Sequence, residues 1–432
     1  MYLLGIDIGT TTICGVVVKD GQVLSAITRS NDANMHSMHP WEKIQDPCRI
    51  REIALGILEA LLAKYPQVER IGVTGQMHGI LYLNKDGSPV SPLYTWQDNS
   101  GMAAFSKEET YVGHLSRLTG YPLATGFGTV THYCHLQQGS VPADAAVFCT
   151  IHDYLAMVLA GLTRPVTDPS DAASLGLYDV ARGCFDTDAL KMAGIDTGMV
   201  PALAASPCIG MYRGEIPVYV AIGDNQASFL GATDGNLQTM LVNMGTGGQF
   251  CAYTREFITC PGLETRPFPL GGYLIVGASL CGGSAYALLE RFWADAAQMF
   301  PGAETGSCYE AMDRLLEKSP KPENLPVLTP LFQGTRSDPR QRGSITGLSM
   351  DNFTPLHITW AMLEGMAEEL HQMHRSYQAA GGNSSLLIGS GNGIRKNKHL
   401  QRCISEKFGM PLTLSRCREE AATGAALFAG WH

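Results

Sequence analysis

The residues from Asp7 to Thr12 could bind a metal–nucleotide complex. In the stretch GIDIGTTT an apolar strand reaches Asp7 and then runs directly into Gly9, Thr10, Thr11 and Thr12. Glycine lets the backbone approach a ligand closely, and successive backbone N–H groups with threonine hydroxyls suit phosphate oxygens. A carboxylate beside bound phosphate is repulsive unless Mg²⁺ lies between them. The stretch therefore predicts Mg²⁺ with a nucleoside triphosphate, and an ordinary hairpin turn is the alternative.

A weak internal repeat supplies a second turn of the same kind. The stretch LVNMGTGGQFCAY (241–253) aligns with GIDIGTTTICGVVV, so that Gly245, Thr246 and Gly247 take the place of the first turn. Each stretch reads as an apolar strand that turns at Gly-Thr and continues as a second strand. Two such hairpins about half a chain apart predict two related lobes, each with a phosphate-binding turn.

Polar side chains follow three other apolar segments and suit a ligand with several hydroxyl groups. Asp224 stands directly after the strand VYVAIG, at the end of a strand where α/β folds bind ligands. It could accept a proton from a hydroxyl, or it could simply cap the next helix. The segments GQMHG (75–79) and TWQD (95–98) add polar groups for a sugar and the apolar ring of Trp96, with ordinary loop residues as the alternative. The polar groups are those of Gln76, His78, Gln97 and Asp98.

A glycine-rich segment, GSGNG (389–393), could lie under an adenine base. It follows a predicted strand and precedes a predicted helix. The chain has no Gly-Lys dipeptide, which excludes a Walker A loop, and it lacks the HRD and DFG motifs of protein kinases. A tight connection from strand to helix is the alternative for this segment.

The elements that must position these residues alternate between strands and helices. Apolar runs predict strands in the two hairpins and at 71–73, 80–83, 218–223 and 386–389. The helical spacing of apolar residues predicts helices over 50–62, 284–299 and 357–377, and another from about Asn397. This alternation predicts the α/β fold class.

Composition limits the class of partner and the compartment. The 432 residues are 45% hydrophobic and 16% charged, enough for roughly two or three buried cores. A formal charge of −9 argues against nucleic acid or an anionic membrane as a partner, since both attract clustered lysine and arginine. Neither a long apolar span nor a signal peptide is evident, so we expect a cytoplasmic protein. The twelve cysteines form no CxxC pair and are interpreted as buried thiols.

Together the motifs resemble those of the FGGY family of carbohydrate kinases over nearly the whole chain. GIDIGTTT, GQMHG, GDNQA and NMGTGG match the family, as do GSITGLSMDNFTPLHITWAMLE (343–364) and EEAATGAALFA (419–429). The stretch 343–364 fits the family's second signature at each constrained position. The resemblance implies an actin-like fold of two ribonuclease H-like lobes with an interlobe cleft. Residues 1–231 would bind mainly sugar, and residues 232–432 mainly nucleotide.

The resemblance also implies roles for individual residues. Asp224 would be the catalytic base, and Asp7 and Asp224 would lie at the Mg²⁺. The residues implied for ATP are Gly9, Thr10, Thr11, Thr12, Gly245, Thr246, Gly247, Gly389, Gly391 and Asn397. The residues implied for the sugar are Gln76, Met77, His78, Trp96, Asp98 and Asn225.

The predicted reaction is Mg²⁺-dependent transfer of the ATP γ-phosphoryl group to a ketose hydroxyl. TWQD, ATGFGT (124–129) and TIHDYLAMVLAGLTRPV (150–166) are most similar to family members that phosphorylate sedoheptulose, whereas members that phosphorylate xylulose share GQMHG. Gly126 and Gly128 are expected to leave room for the longer ketose. A sugar-sensing regulator or an actin-like ATPase without sugar transfer is the alternative from another class. The sequence leaves open whether the chain forms a homodimer.

Overall fold

The chain folds into two compact units. The structure is a computed structural model that describes residues 1–300, 307–335, 338 and 340–432. Unit 1 comprises Met1–Asn236, Arg266–Gly272 and Cys417–His432, and unit 2 comprises Leu237–Thr265 and Tyr273–Arg416. The sequence instead predicted a mainly sugar-binding part, 1–231, and a mainly nucleotide-binding part, 232–432. That division stays a prediction.

Strands and helices alternate through the residues of unit 1 that precede residue 237. The strands are β1 (Tyr2–Ile8), β2 (Thr12–Lys19), β3 (Gln22–Ser30), β4 (Ile44–Gln45), β5 (Arg70–Gly75), β6 (Leu81–Leu83), β7 (Leu93–Tyr94), β8 (Val147–Cys149), β9 (Val166–Thr167), β10 (Tyr178–Asp179), β11 (Cys184–Phe185), β12 (Ala202–Leu203), β13 (Cys208–Tyr212), β14 (Ile216–Tyr219) and β15 (Ile222–Gly223). The helices are α1 (Pro47–Lys64), α2 (Tyr111–Thr119), α3 (Gly128–Gln138), α4 (Ile151–Leu159), α5 (Pro169–Leu175), α6 (Thr187–Met192) and α7 (Asp224–Ala232).

The same alternation continues to the end of the chain. The strands are β16 (Thr239–Met244), β17 (Gly248–Thr254), β18 (Glu264–Pro267), β19 (Tyr273–Ser279), β20 (Val327–Thr329), β21 (Ser344–Thr346), β22 (Leu386–Ser390) and β23 (Leu412–Leu414). The helices are α8 (Gly283–Ala297), α9 (Tyr309–Lys318), α10 (Pro355–Ala379), α11 (Gly391–Arg395), α12 (Lys398–Phe408) and α13 (Glu420–Gly430). No helix in the described ranges is long and apolar enough to cross a membrane.

Unit 1 is built on a mixed sheet with the strand order β13-β14-β5-β1-β2-β3, and β15 also pairs with β5. β2 is antiparallel to both of its neighbours, β1 and β3. In contrast, β1, β14 and β15 all run parallel to β5. The first predicted hairpin is thus confirmed as β1 and β2.

The sheet of unit 2 repeats this arrangement, with the order β18-β19-β17-β16-β22-β23. β16, β17 and β19 are antiparallel in turn, whereas β22 runs parallel to both β16 and β23. When β16 is matched with β1, the strand directions of the two sheets agree. The predicted α/β class with two related lobes is confirmed, and the repeated Gly-Thr hairpin is the part of this symmetry that the sequence shows.

The strand predicted over 218–223 is interrupted. Val218 of β14 pairs with Ile71, and Ile222 of β15 pairs with Thr74. The segment from β14 to β15 therefore uses four residue steps where β5 uses three, which is the extra residue of a β-bulge. At the break, the Val220 N–H donates to the Pro207 carbonyl at 2.8 Å. The unbroken apolar run VYVAIG conceals this bulge, because every residue in it suits a strand.

The predicted helices are confirmed, and their ends are set by capping residues. The helix predicted over 50–62 is α1, which begins earlier because Asp46 caps it through the Cys48 N–H and Pro47 occupies its first turn. The predicted helices 284–299 and 357–377 are α8 and α10. Asn397 caps α12 through the Leu400 N–H.

Helix α13 belongs to unit 1 and packs closely on both β1 and α7. A Cβ atom on Gly5 of β1 would lie 1.9 Å from the Ala422 carbonyl oxygen of α13. On the other side, a Cβ atom on Gly424 would lie 1.7 Å from the Ala227 carbonyl oxygen of α7. Glycine at these positions allows backbone-to-backbone packing that any side chain would prevent.

We expect Gly424→Ala to destabilise unit 1. The new methyl group would overlap the backbone of Ala227, so α13 or α7 must shift. Overpacking of this kind typically costs about 1–3 kcal/mol, enough to lower the melting temperature by several degrees. Differential scanning calorimetry measures this change.

The control is Gly113→Ala in α2. Its Cβ atom would meet nothing closer than the Thr110 Oγ at 3.2 Å, and alanine is the better helix former. We expect this variant to melt at or slightly above the wild-type temperature. A Gly424→Ala protein that melts with the wild type would contradict the close packing of α13.

Candidate active site

Asp7 and Asp224 lie at the same edge of the unit 1 sheet. Asp7 pairs with Thr74 across the parallel ladder of β1 and β5, and Ile222 of β15 pairs with the same Thr74 from the other side. Asp224 follows β15 as the first residue of α7. Because the carboxyl ends of parallel strands meet at one edge, both carboxylates face the region where α/β folds bind ligands.

The ionisation of both carboxylates is disfavoured. Burial and then the charge of Asp224 raise the pKa of Asp7 to about 7, and Glu419 adds to this effect. Burial also raises the pKa of Asp224, against the opposing influence of His152 and Arg266. Carboxyl groups perturbed in this way at strand ends are typical of functional sites.

Asp224 does not cap α7. Gly223 occupies the N-cap position, and Asp224 is the first helical residue. A Cβ atom on Gly223 would lie 2.7 Å from the Met77 Cε, so glycine lets Met77 pack directly against the start of the helix. Next to Asp224, the Asn225 side-chain oxygen is buried and has no hydrogen-bond partner among the described residues. A buried acceptor of this kind beside a carboxylate suits a ligand hydroxyl.

The first Gly-Thr turn is tied to the predicted sugar residues. The turn and the start of β2 contain the predicted phosphate residues Gly9, Thr10, Thr11 and Thr12. The Thr10 hydroxyl donates to the Gln76 Oε1 at 3.3 Å and accepts from the Trp96 indole N–H at 3.0 Å. The side chains of Thr11 and Thr12 are exposed. One hydroxyl thus connects the predicted phosphate turn with both GQMHG and TWQD.

His78 is held in a strained backbone conformation. Its φ of 74° lies in the left-handed region, which residues with a side chain rarely adopt. The Nδ1–H donates to the Ser174 carbonyl oxygen at 2.7 Å, because a carbonyl can only accept. The ring stacks on Phe127 with centroids 4.7 Å apart. In a neutral ring this bond makes Nε2 the acceptor nitrogen.

Trp96 and Asp98 differ in exposure. Trp96 is 47% exposed, whereas Asp98 is buried. The Asp98 carboxylate accepts hydrogen bonds from the N–H and hydroxyl of Ser100 and from the Lys43 N–H. Burial nevertheless raises the pKa of Asp98. Its partners hold the turn after TWQD, and contact with a sugar stays a prediction.

Gly126 and Gly128 do not open space for a ligand, which corrects the expectation from the sequence. A Cβ atom on Gly126 would lie 2.1 Å from the Trp96 carbonyl oxygen, and Gly126 has a φ of 82°. A Cβ atom on Gly128 would lie 2.6 Å from the Ile80 side chain. The volume that these glycines leave is filled by neighbouring protein atoms, so they serve close packing.

A buried polar network lies beside the carboxylates and was not identified from the sequence. The Asp171 carboxylate accepts from the Thr150 hydroxyl at 2.8 Å and the Ser174 hydroxyl at 3.1 Å. His152 Nε2 lies 2.9 Å from the same carboxylate. Burial would raise the pKa of Asp171, but His152 and these hydrogen bonds lower it overall, whereas burial and Asp171 raise the pKa of Asp153. A polar His-Asp pair inside the apolar segment TIHDYLAMVL was the available signal.

The second Gly-Thr turn lies between β16 and β17 of unit 2. Gly245 has open space around it, since a Cβ atom there would meet nothing within 4 Å. The start of α8 packs against the turn, with the Gly283 N–H donating to the Gly245 carbonyl at 2.9 Å and the Ser284 N–H donating to the Thr246 carbonyl at 3.0 Å. A Cβ atom on Gly247 would lie 2.6 Å from the Ser279 carbonyl oxygen. The turn thus has a packed side and an open side.

The glycine-rich segment joins β22 to the short helix α11. Gly389 lies in β22, and Gly391 has a φ of 80°. A Cβ atom on Gly391 would lie 2.5 Å from the Met244 carbonyl oxygen, so glycine is required by the close approach of β16. The Asn397 side-chain oxygen caps α12. These contacts support the tight connection, and the adenosine role stays a prediction.

Mg²⁺ fits the two carboxylates of unit 1. This ion is usually bound by one or two carboxylates together with water and phosphate oxygens. Within the described ranges, no group of three or more His, Cys, Asp or Glu side chains could hold a metal ion. Asp7 and Asp224 supply the one or two carboxylates that Mg²⁺ accepts, and a cation would offset the burial and the repulsion that raise the pKa of Asp7.

Family comparison matches nearly the whole chain. Residues 2–231 match the N-terminal domain of the FGGY family of carbohydrate kinases, and residues 240–432 match its C-terminal domain. A sedoheptulokinase from Mus musculus is 30% identical, with 98% of this chain and 96% of the relative aligned. A glycerol kinase from Thermus brockianus is 26% identical over 98% of this chain and 88% of its own length.

Solved structures of a xylulose kinase and a glycerol kinase share the fold. The xylulose kinase from Rhodospirillum rubrum has a TM-score of 0.84 at 23% identity, covering 100% of this chain and 89% of its own. The glycerol kinase from Plasmodium falciparum, solved with ADP, has a TM-score of 0.80 at 20% identity, covering 100% of this chain and 89% of its own. At identities this low, the structural similarity shows a shared fold and nothing more.

We expect Asp7→Asn to stabilise the protein at pH 8 but not at pH 4. The folded protein keeps the Asp7 proton until about pH 7, whereas an unfolded chain loses it near pH 4. The stability that this proton contributes is therefore full below about pH 4 and is lost as the pH rises to about 7. Thermal unfolding of both proteins from pH 4 to 8, without nucleotide or divalent cation, measures the difference.

The control is Asp32→Asn on the surface. A hydrogen bond from Arg49 lowers the pKa of Asp32, so its pH dependence has the opposite sign and is small at an exposed position. If the stability difference between wild type and Asp7→Asn were the same at every pH, the raised pKa assigned to Asp7 would be wrong.

Proposed function

The chain belongs to the FGGY family of carbohydrate kinases, and we propose that it transfers the γ-phosphoryl group of ATP to a hydroxyl group of sedoheptulose. One observation carries the catalytic part of this proposal. Asp7 near the end of β1 pairs with Thr74, and Asp224 follows β15, whose Ile222 pairs with the same Thr74, so two carboxylates share one edge of the sheet. The family implies ATP as the phosphoryl donor.

Asp224 acts as the base in this proposal. Its raised pKa brings its proton affinity closer to neutral pH, where a base is most effective. The neighbouring Asn225 oxygen can accept a hydrogen bond from an adjacent sugar hydroxyl, which leaves the proton of the reacting hydroxyl free for Asp224. Mg²⁺, when bound, neutralises charge on the phosphates, and Asp7 and Asp224 would hold it. Charge neutralisation and alignment of the reacting atoms are the main contributions to phosphoryl transfer.

The sugar side of the proposal rests on three groups in unit 1. His78 presents a ring whose tautomer is set by Ser174, and Met77 packs against the start of the helix that carries Asp224. Trp96 offers a partly exposed ring whose N–H is bound to Thr10. Gln76, Asp98 and Asn225 complete the proposed set. Polar groups around one apolar ring suit the alternating hydroxyls and C–H faces of a sugar.

The ATP side of the proposal uses the two Gly-Thr turns and the glycine-rich loop. Gly9–Thr12 and Gly245–Gly247 would contact phosphates, since each offers backbone N–H groups and a hydroxyl in a turn. Gly389, Gly391 and Asn397 would lie on the adenosine side. A cytoplasmic location is part of the proposal, and the homodimer is left open.

We expect Asp224→Asn to lower kcat by at least about 100-fold, the low end of general-base contributions. The amide keeps the size of the side chain but cannot accept the proton. Coupled ADP-release kinetics at saturating ATP and sugar measure kcat, and thermal unfolding shows whether the variant is folded.

The matched control is Asp186→Asn. Asp186 also stands at the start of a helix, where it caps α6, but it is not one of the proposed site residues. We expect its kcat to equal the wild-type value. Near-normal turnover in a folded Asp224→Asn protein would show that Asp224 is not the base.

Sedoheptulose is proposed over xylulose on the similarity to sedoheptulokinases along the whole chain. Relatives from Mus musculus and Homo sapiens are 30% and 28% identical, each aligned over 98% of this chain. The xylulose kinases share the fold at lower identity. The extra room expected from Gly126 and Gly128 no longer contributes, since both glycines are packed.

We expect kcat/KM to be at least about tenfold higher for sedoheptulose than for xylulose. A shorter ketose leaves polar groups of the pocket unpaired, a loss of about 1–3 kcal/mol. The coupled assay with both ketoses, extended to polyols and aldoses, measures this ratio. A preference for xylulose would overturn the heptulose proposal and leave the kinase proposal intact. ATP hydrolysis without sugar transfer, or no turnover at all, would overturn both in favour of an ATPase or a sugar-binding regulator.

A further inference from the structure

Helix α5 carries two buried serines that contact different parts of the candidate site. Ser170 and Ser174 are 1% and 5% exposed, and they lie one helical turn apart. Ser170 contacts the residue before Asp224, and Ser174 contacts His78. Neither serine lies in a motif for which the sequence predicted a role.

Ser170 fixes the start of the helix that carries Asp224. Its hydroxyl donates to the Asp168 carboxylate at 2.5 Å, so the oxygen lone pairs are available to accept. The Gly223 N–H donates to this oxygen at 3.2 Å. Gly223 is the N-cap of α7, and its peptide precedes Asp224. A shift of Gly223 would therefore move the Asp224 carboxylate.

Ser174 fixes the sugar loop in the same manner. Its hydroxyl donates to the Asp171 carboxylate at 3.1 Å and accepts from the His78 N–H at 3.2 Å. The Ser174 carbonyl accepts from the His78 Nδ1–H at 2.7 Å. A left-handed conformation of a residue with a side chain is strained and persists only where its surroundings hold it. Ser174 stabilises this conformation of His78 through hydrogen bonds to both its hydroxyl and its carbonyl.

Both serines use a buried carboxylate to orient their hydroxyls. Asp168 caps α5 and accepts from the Ser170 N–H and hydroxyl. Asp171 is fixed by the Thr150 hydroxyl and by His152 on its other oxygen. Because each serine proton points to a carboxylate, each serine oxygen faces a backbone N–H of the site. The two ends of α5 are built alike, but they hold different groups.

We propose that α5 is a shared scaffold in which Ser170 positions the base Asp224 and Ser174 positions the sugar-binding residue His78. The inference rests on the proposed function of Asp224 and His78. It assigns different kinetic effects to two serines of one short helix. Loss of the Ser170 hydroxyl should affect the chemical step, and loss of the Ser174 hydroxyl should affect sugar affinity.

The test is a comparison of Ser170→Ala with Ser174→Ala. We expect Ser170→Ala to lower kcat about tenfold with unchanged sugar KM, and Ser174→Ala to raise the sugar KM about tenfold with unchanged kcat, the size of one lost hydrogen bond. The KM for ATP should stay constant in both. The substrate is the best sugar of the ketose and polyol panel. Calorimetric titration of the same sugar without nucleotide should show weaker binding only for Ser174→Ala.

The control is Thr129→Val. The Thr129 hydroxyl is buried and donates to the Leu175 carbonyl of α5 at 2.8 Å, but it contacts neither His78 nor Gly223. It tests whether any loss of a hydrogen bond to α5 changes activity, and we expect wild-type kinetics. If an alanine variant fails to fold, Ser170→Cys and Ser174→Cys keep the side-chain size with a weak acceptor and carry the same expectation.

Two outcomes overturn the scaffold. Equal changes in kcat and KM for both serine variants would mean that α5 acts only through stability, and wild-type kinetics in both would mean that it positions neither group. A wild-type protein that phosphorylates no sugar in the panel contradicts the proposed function instead. The calorimetric affinities of the two variants then still decide whether Ser174 supports sugar binding and Ser170 does not.

Discussion

The parallel pairing of β1 and β15 with β5 is the constraint on which the candidate site depends. Thr74 of β5 is the common partner of Asp7 and Ile222. The register of this central strand therefore fixes the positions of Asp7 and Asp224 along the edge of the sheet. A slip of one residue in either ladder would turn Asp7 to the opposite face or move α7 along the edge. The β-bulge at Val220 belongs to the same constraint, because it lets β15 end level with β5.

This register places negative charge where the protein alone cannot neutralise it. The pKa of Asp7 rises to about 7 through burial and neighbouring carboxylates, and His152 and Arg266 only partly offset the corresponding rise at Asp224. Stability is thus given up at the site, as is common where side chains are arranged for a ligand. The surrounding network shows the opposite design, since the Asp171 carboxylate is surrounded by hydrogen-bond donors. Asp7 and Asp224 face the ligand region, whereas the Asp171 carboxylate holds the framework.

Features with local causes could be predicted from the sequence. The hairpins, the α1 and α10 helices and the strand ends at Asp7 and Asp224 follow from apolar periodicity, turn residues and Gly-Thr patterns within a few residues. The contact between His152 and Asp171 could not, because it joins two separate helices and neither residue has a local signature. The role of Gly126 could not be predicted from the sequence either. A glycine in a sequence can mean open space or close packing, and only the Trp96 carbonyl 2.1 Å from its missing Cβ decides between them.

The position of α13 has a consequence for how the protein is made. Its residues pack against β1 and α7, yet they follow the whole of unit 2 along the chain. During synthesis on the ribosome, the surface of β1 around Gly5 therefore emerges long before the helix that covers it. The amino-terminal part of a chain usually folds first during synthesis, but here it must wait for its last helix. Until α13 arrives, the apolar side chains of Leu3, Val16 and Val18 that pack against it stay uncovered, so the fold of unit 1 can be completed only after the last residues are made.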